Sequence, residues 1–167
     1  KGKIMPIEMK VSGIAMDPVS NMPIVILKDA TGETVVPIWI GLLEASSIAM
    51  ELEKVPVARP MTHDLLKTVM EALGGRLVKI EVCDLRDNTF YLTCEKDGKE
   101  LLIDSRPSDA IAIALRVGCP IYVAENVIKK SRRIDFQAAK EEEEKPAEEK
   151  WKEILENLPP HHFGKYK

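Results

Sequence analysis

The sequence predicts an α+β protein with an internally duplicated unit, in which three strands are followed by a helix. Two matching segments, 38–49 and 103–114, each combine an apolar strand, a short turn and an apolar helix with an acid near its start. Two further segments, 29–33 and 95–99, match as hairpin turns in the same frame. The two units are expected to form one mixed, largely antiparallel and barrel-like sheet with the helices packed outside it.

The chain length is typical of a single domain with an added segment. We predict a duplicated core over residues 1–134, with repeat units at about 4–75 and 76–134. The composition changes in residues 135–167, where a charge run precedes a segment with helical spacing of apolar residues. This part is expected to be a charged tail with a short amphipathic helix that docks on the core or on another subunit, or to be loosely ordered.

In the first unit, alternation of apolar and polar residues indicates strands, which are predicted at 5–15, 22–28 and 34–40. Residues 42–54 have helical spacing with small residues on one face, so they predict a helix that packs closely. A loop with two prolines follows. Thr62 is predicted to cap a second helix that runs to residue 73 and ends at Gly74.

In the second unit, the same alternation predicts four strands, at 76–83, 89–95, 100–104 and 120–123. Pro107 is suited to the first turn of a helix, and Gly118 is suited to the residue after its end. We therefore predict a helix over 107–117. Residues 124–130 are expected to add one or two further helical turns.

The net charge of -3 is distributed unevenly. Residues 1–134 hold 18 basic and 18 acidic residues, whereas residues 135–167 hold 6 basic and 9 acidic residues. A neutral core argues against broad electrostatic capture of duplex nucleic acid. It still allows a local basic site.

The three cysteines, Cys83, Cys94 and Cys119, are too few and too scattered to predict a disulfide framework or a zinc site. They favour a reducing, cytoplasmic location. The sequence shows no stretch that is long and apolar enough to span a bilayer and no secretory signal at its start, so no membrane partner is expected.

The first polar cluster lies where the second predicted helix begins and contains Arg59, Thr62, His63 and Asp64. Free backbone N–H groups at a helix start favour anions, and histidine is the usual proton-transfer residue near neutral pH. We therefore predict that His63 and Asp64 are catalytic and that Arg59 and Thr62 bind phosphate. Helix capping with a charged first turn is the structural alternative.

The second polar cluster contains Asp104, Arg106, Ser108 and Asp109 and lies at a strand–helix turn. The guanidinium of Arg106 and the hydroxyl of Ser108 are suited to bind phosphate oxygens. Asp104, Arg106 and Asp109 are predicted to be catalytic. Asp104 and Asp109, with Glu44 from the matching turn, are predicted to hold Mg²⁺ or Mn²⁺. The structural alternative is an Arg106–Asp104 ion pair with Ser108 and Asp109 as capping residues.

Other features of the sequence favour no further chemistry. No Ser-His-Asp arrangement is suggested locally, and Trp39, which replaces Asp104 in the first unit, is expected to serve packing. Tyr91 and Tyr122 fall in predicted strands, so the sequence indicates no exposed aromatic platform for nucleobases.

Motifs that appear in order along the chain resemble those of the bifunctional nuclease domain family of bacteria, archaea and plants. They are PIWIG at 37–41 with Glu44-Ala45, RPMTHDLL at 59–66, DSRPSDAIA at 104–112 and PIYV at 120–123. The resemblance covers about residues 5–130. It implies an α+β fold that is duplicated and tends to form dimers, and a nuclease activity on DNA and RNA.

Three hypotheses therefore remain open at the level of sequence. The first is a nuclease in which a divalent ion assists hydrolysis, with Arg106 stabilising the phosphate charge and His63 moving a proton. The second is a non-catalytic oligomeric module that binds a small anion or the carboxylate of a partner. The third treats both clusters as structural capping and ion pairing.

Overall fold

The computed structural model describes residues 5–84 and 89–131. These residues form seven strands and four helices: β1 (Ile7–Met16), β2 (Pro23–Asp29), β3 (Val35–Trp39), α1 (Leu42–Leu52), α2 (Thr62–Ala72), β4 (Arg76–Asp84), β5 (Thr89–Lys96), β6 (Lys99–Ser105), α3 (Pro107–Val117), β7 (Ile121–Val123) and α4 (Glu125–Ser131). The order of these elements confirms the predicted mixture of strands and helices.

The ends of the helices show which residues were sufficient to predict where a helix begins or ends. Pro107 occupies the first turn of α3, and Gly118 ends that helix with a left-handed φ of 77°, as its sequence predicts. The prediction for Thr62 was wrong by one position, because α2 already begins at Thr62 and its cap is Met61. The carboxylate of Asp64 folds back to accept a hydrogen bond from the Met61 N–H at 2.9 Å, and this bond replaces a hydroxyl cap.

All seven strands belong to one mixed sheet in the order β3-β2-β1-β7-β4-β5-β6. Within each half the neighbouring strands are antiparallel. The short strand β7 joins the halves, since it pairs antiparallel with β1 and parallel with β4. The predicted mixed α+β class is therefore confirmed.

The sheet is open among the described residues, with β3 and β6 as its edges, so the predicted barrel-like closure is not confirmed. Helix α4 contacts β3 in one half and β4 in the other, from which we infer that the open sheet is curved. Each half consists of three antiparallel strands followed by a helix, in mirror order about β7. The duplication itself stays a prediction.

Helix α3 is the centre of the helical layer. It packs on β4 and β5 and contacts α1 and α2 on its flanks. Its apolar residues 110–114 are at most 2% exposed, whereas none of the residues of α2 is buried. The starts of α1, α2 and α3 are held together by this packing, which brings the two predicted polar clusters into one region.

Several predictions lie outside the described residues, including the charged tail at 135–167 with its amphipathic helix. Within the parts of the chain that the structure covers, no helix is both long and apolar enough to cross a membrane.

Candidate functional site

A pocket of about 680 Å³ lies between the two matching strand–helix turns. We call it the turn pocket, and its lining residues are Trp39, Ile40, Gly41, Glu44, Tyr91, Asp104, Ser105, Arg106, Pro107 and Ser108. One turn follows β3 and the other follows β6, which are the two edge strands. The curvature of the open sheet therefore brings the ends of its edge strands together at one solvent-accessible hollow.

Arg106 connects the two turns at this pocket. Its Nη1 donates to Glu44 Oε1 at 3.2 Å, and its Nε donates to Asp109 Oδ2 at 2.7 Å. These hydrogen bonds and the adjacent charges, from Asp109 first and Glu44 second, raise the pKa of the guanidinium. The predicted structural ion pair with Asp104 was wrong, since the partners are the two equivalent first-turn acids. The Arg106 side chain is still 65% exposed, so it remains accessible to an anion.

Asp109 is the residue at which the two polar clusters meet. Its Oδ1 lies 3.1 Å from His63 Nε2, while its Oδ2 accepts the bond from Arg106. Burial raises the pKa of this carboxyl, but the hydrogen bonds from Arg106 and His63 outweigh burial and hold the pKa below its ordinary value. The carboxylate is therefore ionised and fully engaged at neutral pH.

Behind Asp109, three side chains form a hydrogen-bonded row of Ser47, His63 and Asp109. Ser47 Oγ lies 3.1 Å from His63 Nδ1, and Arg116 Nη2 donates to the same Oγ at 3.4 Å. Because the ionised Asp109 carboxylate can only accept, we assign the ring proton to Nε2, and in the neutral ring Nδ1 accepts the hydrogen of the Ser47 hydroxyl. The structure thus forms a Ser-His-Asp row that the local sequence does not suggest.

Because of its partners in this row, His63 lies behind the turn pocket and not in its lining. Its side chain is only 16% exposed, both ring nitrogens have partners, and it does not line the turn pocket. The predicted convergence of His63 with Arg106 is present, but it runs through Asp109. Direct proton transfer from His63 to a ligand in the pocket would require His63 to leave one of these partners.

Arg116 closes the network at its buried end. Its side chain is 5% exposed, and its Nε donates to Asp64 Oδ1 at 2.6 Å. Further bonds reach the carbonyl oxygens of Ala112 and Ser47 at 3.0 and 3.2 Å. Burial raises the pKa of Asp64, but the bonds from Met61 N–H and Arg116 together lower it below its ordinary value. Asp64 therefore serves as a partner of Arg116 and a cap of α2.

Arg59 and Asp64 line a second pocket of about 320 Å³, which we call the loop pocket. Its other lining residues are Met50, Glu51, Val55, Val57, Ala58, Pro60, Met61, Thr68 and Arg116. Thr62 is exposed at the start of α2 and lines neither pocket. Of the four residues predicted to bind phosphate, only Arg106 and Ser108 are therefore brought to the turn pocket.

The predicted ligand set for a divalent ion fits this geometry in part. Asp109 does not line the turn pocket, and each of its oxygens already has a hydrogen-bond partner in the protein, so its place in a divalent-ion site stays a prediction. No cluster of three or more His, Cys, Asp or Glu side chains suited to a metal ion is found within residues 5–84 and 89–131. Glu44 and Asp104 nevertheless both line the turn pocket, and Mg²⁺ commonly uses one or two carboxylates together with water.

Sequence reasoning missed Trp39 and Tyr91, which line the turn pocket, and Ser47 and Arg116, which belong to the hydrogen-bond network behind it. A usable signal for Arg116 was its position seven residues after Asp109, which places both on one face of an otherwise apolar helix. For Trp39 the signal was its alignment with Asp104 in the matching turn.

Comparison with known proteins gives a family match and several relatives. The family model described as "Bifunctional nuclease domain" matches residues 25–135. Two uncharacterized proteins of Mycobacterium tuberculosis are 39% identical over 160 residues, which cover 93% of this chain and 97% of theirs. A rice protein named Bifunctional nuclease 2 is 31% identical over 107 residues, which cover 60% of this chain and 33% of the rice protein.

Proposed function

Because the chain belongs to the bifunctional nuclease domain family, we propose that it hydrolyses phosphodiester bonds of DNA and RNA in the turn pocket. The observation that carries this proposal is the state of Arg106. Its guanidinium is 65% exposed, yet two carboxylates fix its orientation in a pocket of about 680 Å³. A cation that is held in place and reaches solvent is suited to bind two phosphate oxygens at once.

In the proposed reaction, Arg106 binds the non-bridging oxygens of the scissile phosphate. Negative charge increases on these oxygens as water attacks the phosphorus atom, and a positioned guanidinium stabilises that charge without reorganising. The hydroxyl of Ser108, which lines the same pocket, is a further donor to the phosphate.

Asp104 is the proposed general base. It is exposed at the end of β6 and lines the turn pocket together with Arg106. Its carboxylate accepts a proton from the attacking water. The phosphorus–oxygen bond on the opposite side then breaks, and the departing oxygen takes a proton from solvent.

A divalent ion would be held by Glu44 and Asp104. The guanidinium of Arg106 is paired with the carboxylates of Glu44 and Asp109, and Asp104 adds a third carboxylate to the lining of the same pocket. A polyanion is repelled by this excess of acid, so Mg²⁺ or Mn²⁺ bound there would neutralise the pocket and polarise the phosphate.

His63 acts in this scheme as a positioning residue. It holds Asp109 Oδ1, and Asp109 Oδ2 in turn holds Arg106. Ser47, which also accepts a hydrogen bond from Arg116, holds the other ring nitrogen of His63. The proton-transfer role predicted for His63 therefore gives way to an indirect one in the proposed mechanism.

Three further properties of the protein are part of this proposal: an internal repeat, an oligomeric state and a cytoplasmic location. We propose that the two strand–helix units are a true repeat, since both contribute the same turn to one pocket. A homodimer or higher oligomer is supported by the apolar surface of α2 and its C-cap, where Leu65, Leu66, Val69 and Leu73 are between 46% and 65% exposed. Three free cysteines support a cytoplasmic location.

The alternative is a non-catalytic module that binds an anion at Arg106. The excess of carboxylates around one guanidinium favours a single small anion over a polyanion. Tight binding of inorganic phosphate with no cleavage and no dependence on metal ions would select this alternative.

The test is cleavage of single-stranded DNA and RNA by the wild type, Asp104→Ala and His63→Ala, with Mg²⁺, Mn²⁺ or EDTA. We expect a loss of at least about 100-fold for Asp104→Ala, a general base, and of about 10-fold for His63→Ala, a positioning residue. Leu102→Ala is the control, because Leu102 is 67% exposed on β6 and does not line the pocket. Equal cleavage by the wild type and both site variants would end the proposal.

A further inference from the structure

Two aromatic side chains line the turn pocket from opposite halves of the sheet. Trp39 ends β3, the edge strand of the first half, and Tyr91 lies on β5 in the second half. Their shared pocket also holds Arg106. An aromatic pair beside a fixed guanidinium is the combination by which proteins bind a base and its phosphate together.

The exposure of Trp39 does not fit a packing role. The three preceding residues of β3 are buried, with Ile38 only 3% exposed, whereas Trp39 is 37% exposed. A large apolar side chain that serves the core would be expected to lie among those residues. Trp39 instead projects its surface into the turn pocket.

A hydrogen bond fixes the indole of Trp39 at its edge. Its Nε1 donates to Asp17 Oδ2 at 3.1 Å, and the same carboxylate accepts from Ser20 Oγ at 2.5 Å and, through Oδ1, from Val19 N–H at 3.1 Å. The ring is therefore anchored by its only polar atom. An anchored ring loses little freedom when a base stacks on its face.

Tyr91 is positioned by the register of the sheet. It lies directly opposite Asp104 in the antiparallel pair of β5 and β6, so the two side chains share one face. Tyr91 therefore places an aromatic ring beside the proposed general base. Together with Pro107, the two aromatic residues give the pocket an apolar side next to its charged residues.

From this arrangement we propose that Trp39 and Tyr91 bind the base of an unpaired nucleotide, which makes the protein selective for single-stranded nucleic acid. The inference deepens the proposed function, because it concerns the substrate of the same pocket. In a duplex the faces of a base are covered by its stacked neighbours, so a base reaches such a pocket only when it is unpaired or extruded. Stacking also tolerates every base, which suits a protein that accepts both DNA and RNA.

The experiment measures binding separately from cleavage. Trp151, the second of the two tryptophans in the chain, is replaced by Phe so that fluorescence reports Trp39 alone. The probes are an eight-nucleotide single strand, the same strand in a duplex, and the same strand without bases, all with phosphorothioate linkages that slow cleavage. We expect quenching of Trp39 fluorescence by the single strand and little quenching by the duplex or by the strand without bases.

Variants then test each aromatic residue by fluorescence anisotropy of labelled probes. Trp39→Ala and Tyr91→Ala are each expected to weaken single-strand binding by about 5- to 150-fold, while Trp39→Phe retains most of it. Asp17→Ala leaves the pocket residues in place but frees the indole, so it is expected to give a smaller loss. Leu43→Ala is the matched control, because Leu43 is 65% exposed next to Glu44 and does not line the pocket.

The outcomes separate this inference from the proposed function. Cleavage of single strands that is unchanged in Trp39→Ala and Tyr91→Ala, or equal affinity for single strand and duplex, would overturn the inference and leave the nuclease assignment intact. Binding that depends on Trp39 without any cleavage would retain the inference and overturn the nuclease assignment. Loss of the far-ultraviolet circular dichroism in Trp39→Ala would mean that this variant does not fold, and the test would then use Trp39→Phe and Asp17→Ala, which keep an aromatic ring at position 39.

Discussion

Two arginines at opposite ends of α3 have similar partners and very different surroundings. Arg106 caps the helix, pairs with Asp109 and Glu44, and is 65% exposed. Arg116 lies in its last turn, pairs with Asp64, and is 5% exposed. They are the two ends of one chain of hydrogen bonds that runs through Asp109, His63 and Ser47.

The contrast shows how burial decides what an ion pair can do. Arg106 can release a carboxylate and bind a phosphate instead, because water solvates the carboxylate that is released. Arg116 is nearly buried and also donates to the carbonyl oxygens of Ala112 and Ser47, so removing it leaves the partly buried Asp64 carboxylate without its charged partner. The same residue type therefore serves binding at one end of the helix and stability at the other.

The largest expected effect is the loss of activity in Arg106→Ala. Removing a positioned donor to a developing oxyanion typically costs about 100- to 1000-fold in rate. Cleavage of single-stranded RNA under saturating conditions measures this effect, and Arg106→Lys is expected to recover only part of it because an ammonium lacks the planar fork.

Thermal unfolding provides the control for that variant. Because Arg106 is largely exposed, Arg106→Ala should unfold at nearly the wild-type temperature. A variant that unfolds at a much lower temperature and retains its rate below that temperature would assign Arg106 a structural role instead.

Arg116→Ala is expected to show the opposite behaviour. It removes a nearly buried guanidinium and should lower the free energy of unfolding by about 2–4 kcal/mol. This corresponds to a decrease in Tm of roughly 5–15 °C. Urea unfolding of Arg116→Ala and Arg106→Ala side by side measures the difference, and equal midpoints would contradict the distinction between the two arginines.

Much of the fold followed from local signals that act over a few residues. Pro107 and Gly118 set the bounds of α3, and the Asp97-Gly98 hairpin set the register of β5 and β6. Closure of the sheet could not be judged in this way. It depends on the summed twist of seven strands and on the contact of α4 with both halves, which no short segment encodes.

The candidate site shows the same limit. The two polar clusters were visible as motifs, and the structure places Arg106 of the second cluster in the lining of the turn pocket. Their partners came from elsewhere in the chain: Ser47 is 16 residues from His63, and Arg116 is 52 residues from Asp64. Pairings over such distances depend on how α1, α2 and α3 pack, which local sequence does not show. We therefore expected hydrogen bonds within each cluster, whereas the structure forms hydrogen bonds between the clusters.

A smaller effect is expected from Gly41→Ala, which disturbs the pair of Glu44 and Arg106 without changing any charge. A Cβ at Gly41 would clash with the Glu44 carboxylate, which folds back over this position. Gly41 has a φ of -74° and a ψ of 161°, which alanine adopts without strain. Glu44 should therefore move away from Arg106 at little cost in stability.

We expect Gly41→Ala to lower the cleavage rate by roughly 3- to 10-fold through this misplacement. The measurement is the rate for the same RNA, with Glu44→Gln as the comparison. If Gly41→Ala cleaves at the wild-type rate while Glu44→Gln is impaired, the charge of Glu44 matters and its bond to Arg106 does not.

The smallest effect is the contribution of the Asp64 and Asp109 carboxylates to stability, which we expect to change with pH and salt. The pKa values of Asp64 and Asp109 are both held below their ordinary values in the folded protein. Each carboxylate therefore adds stability that is present above the unfolded-state pKa and is lost as the pH falls through the folded-state value. The difference in unfolding free energy between wild type and Asp64→Asn or Asp109→Asn should shrink as the pH falls from 5 toward 2.

The difference for Asp109→Asn should be less than about 1 kcal/mol, because the pair with Arg106 is screened by water. Asp64→Asn should cost more, because it leaves the nearly buried guanidinium of Arg116 without its counter-charge. Salt then distinguishes them. The Asp109 pair with Arg106 lies at the surface, so its contribution should fall in about 1 M NaCl, where the Debye length is about 3 Å. The Asp64 pair with buried Arg116 should be nearly insensitive to salt, and an equal response of the two variants would mean that burial does not separate the two arginines.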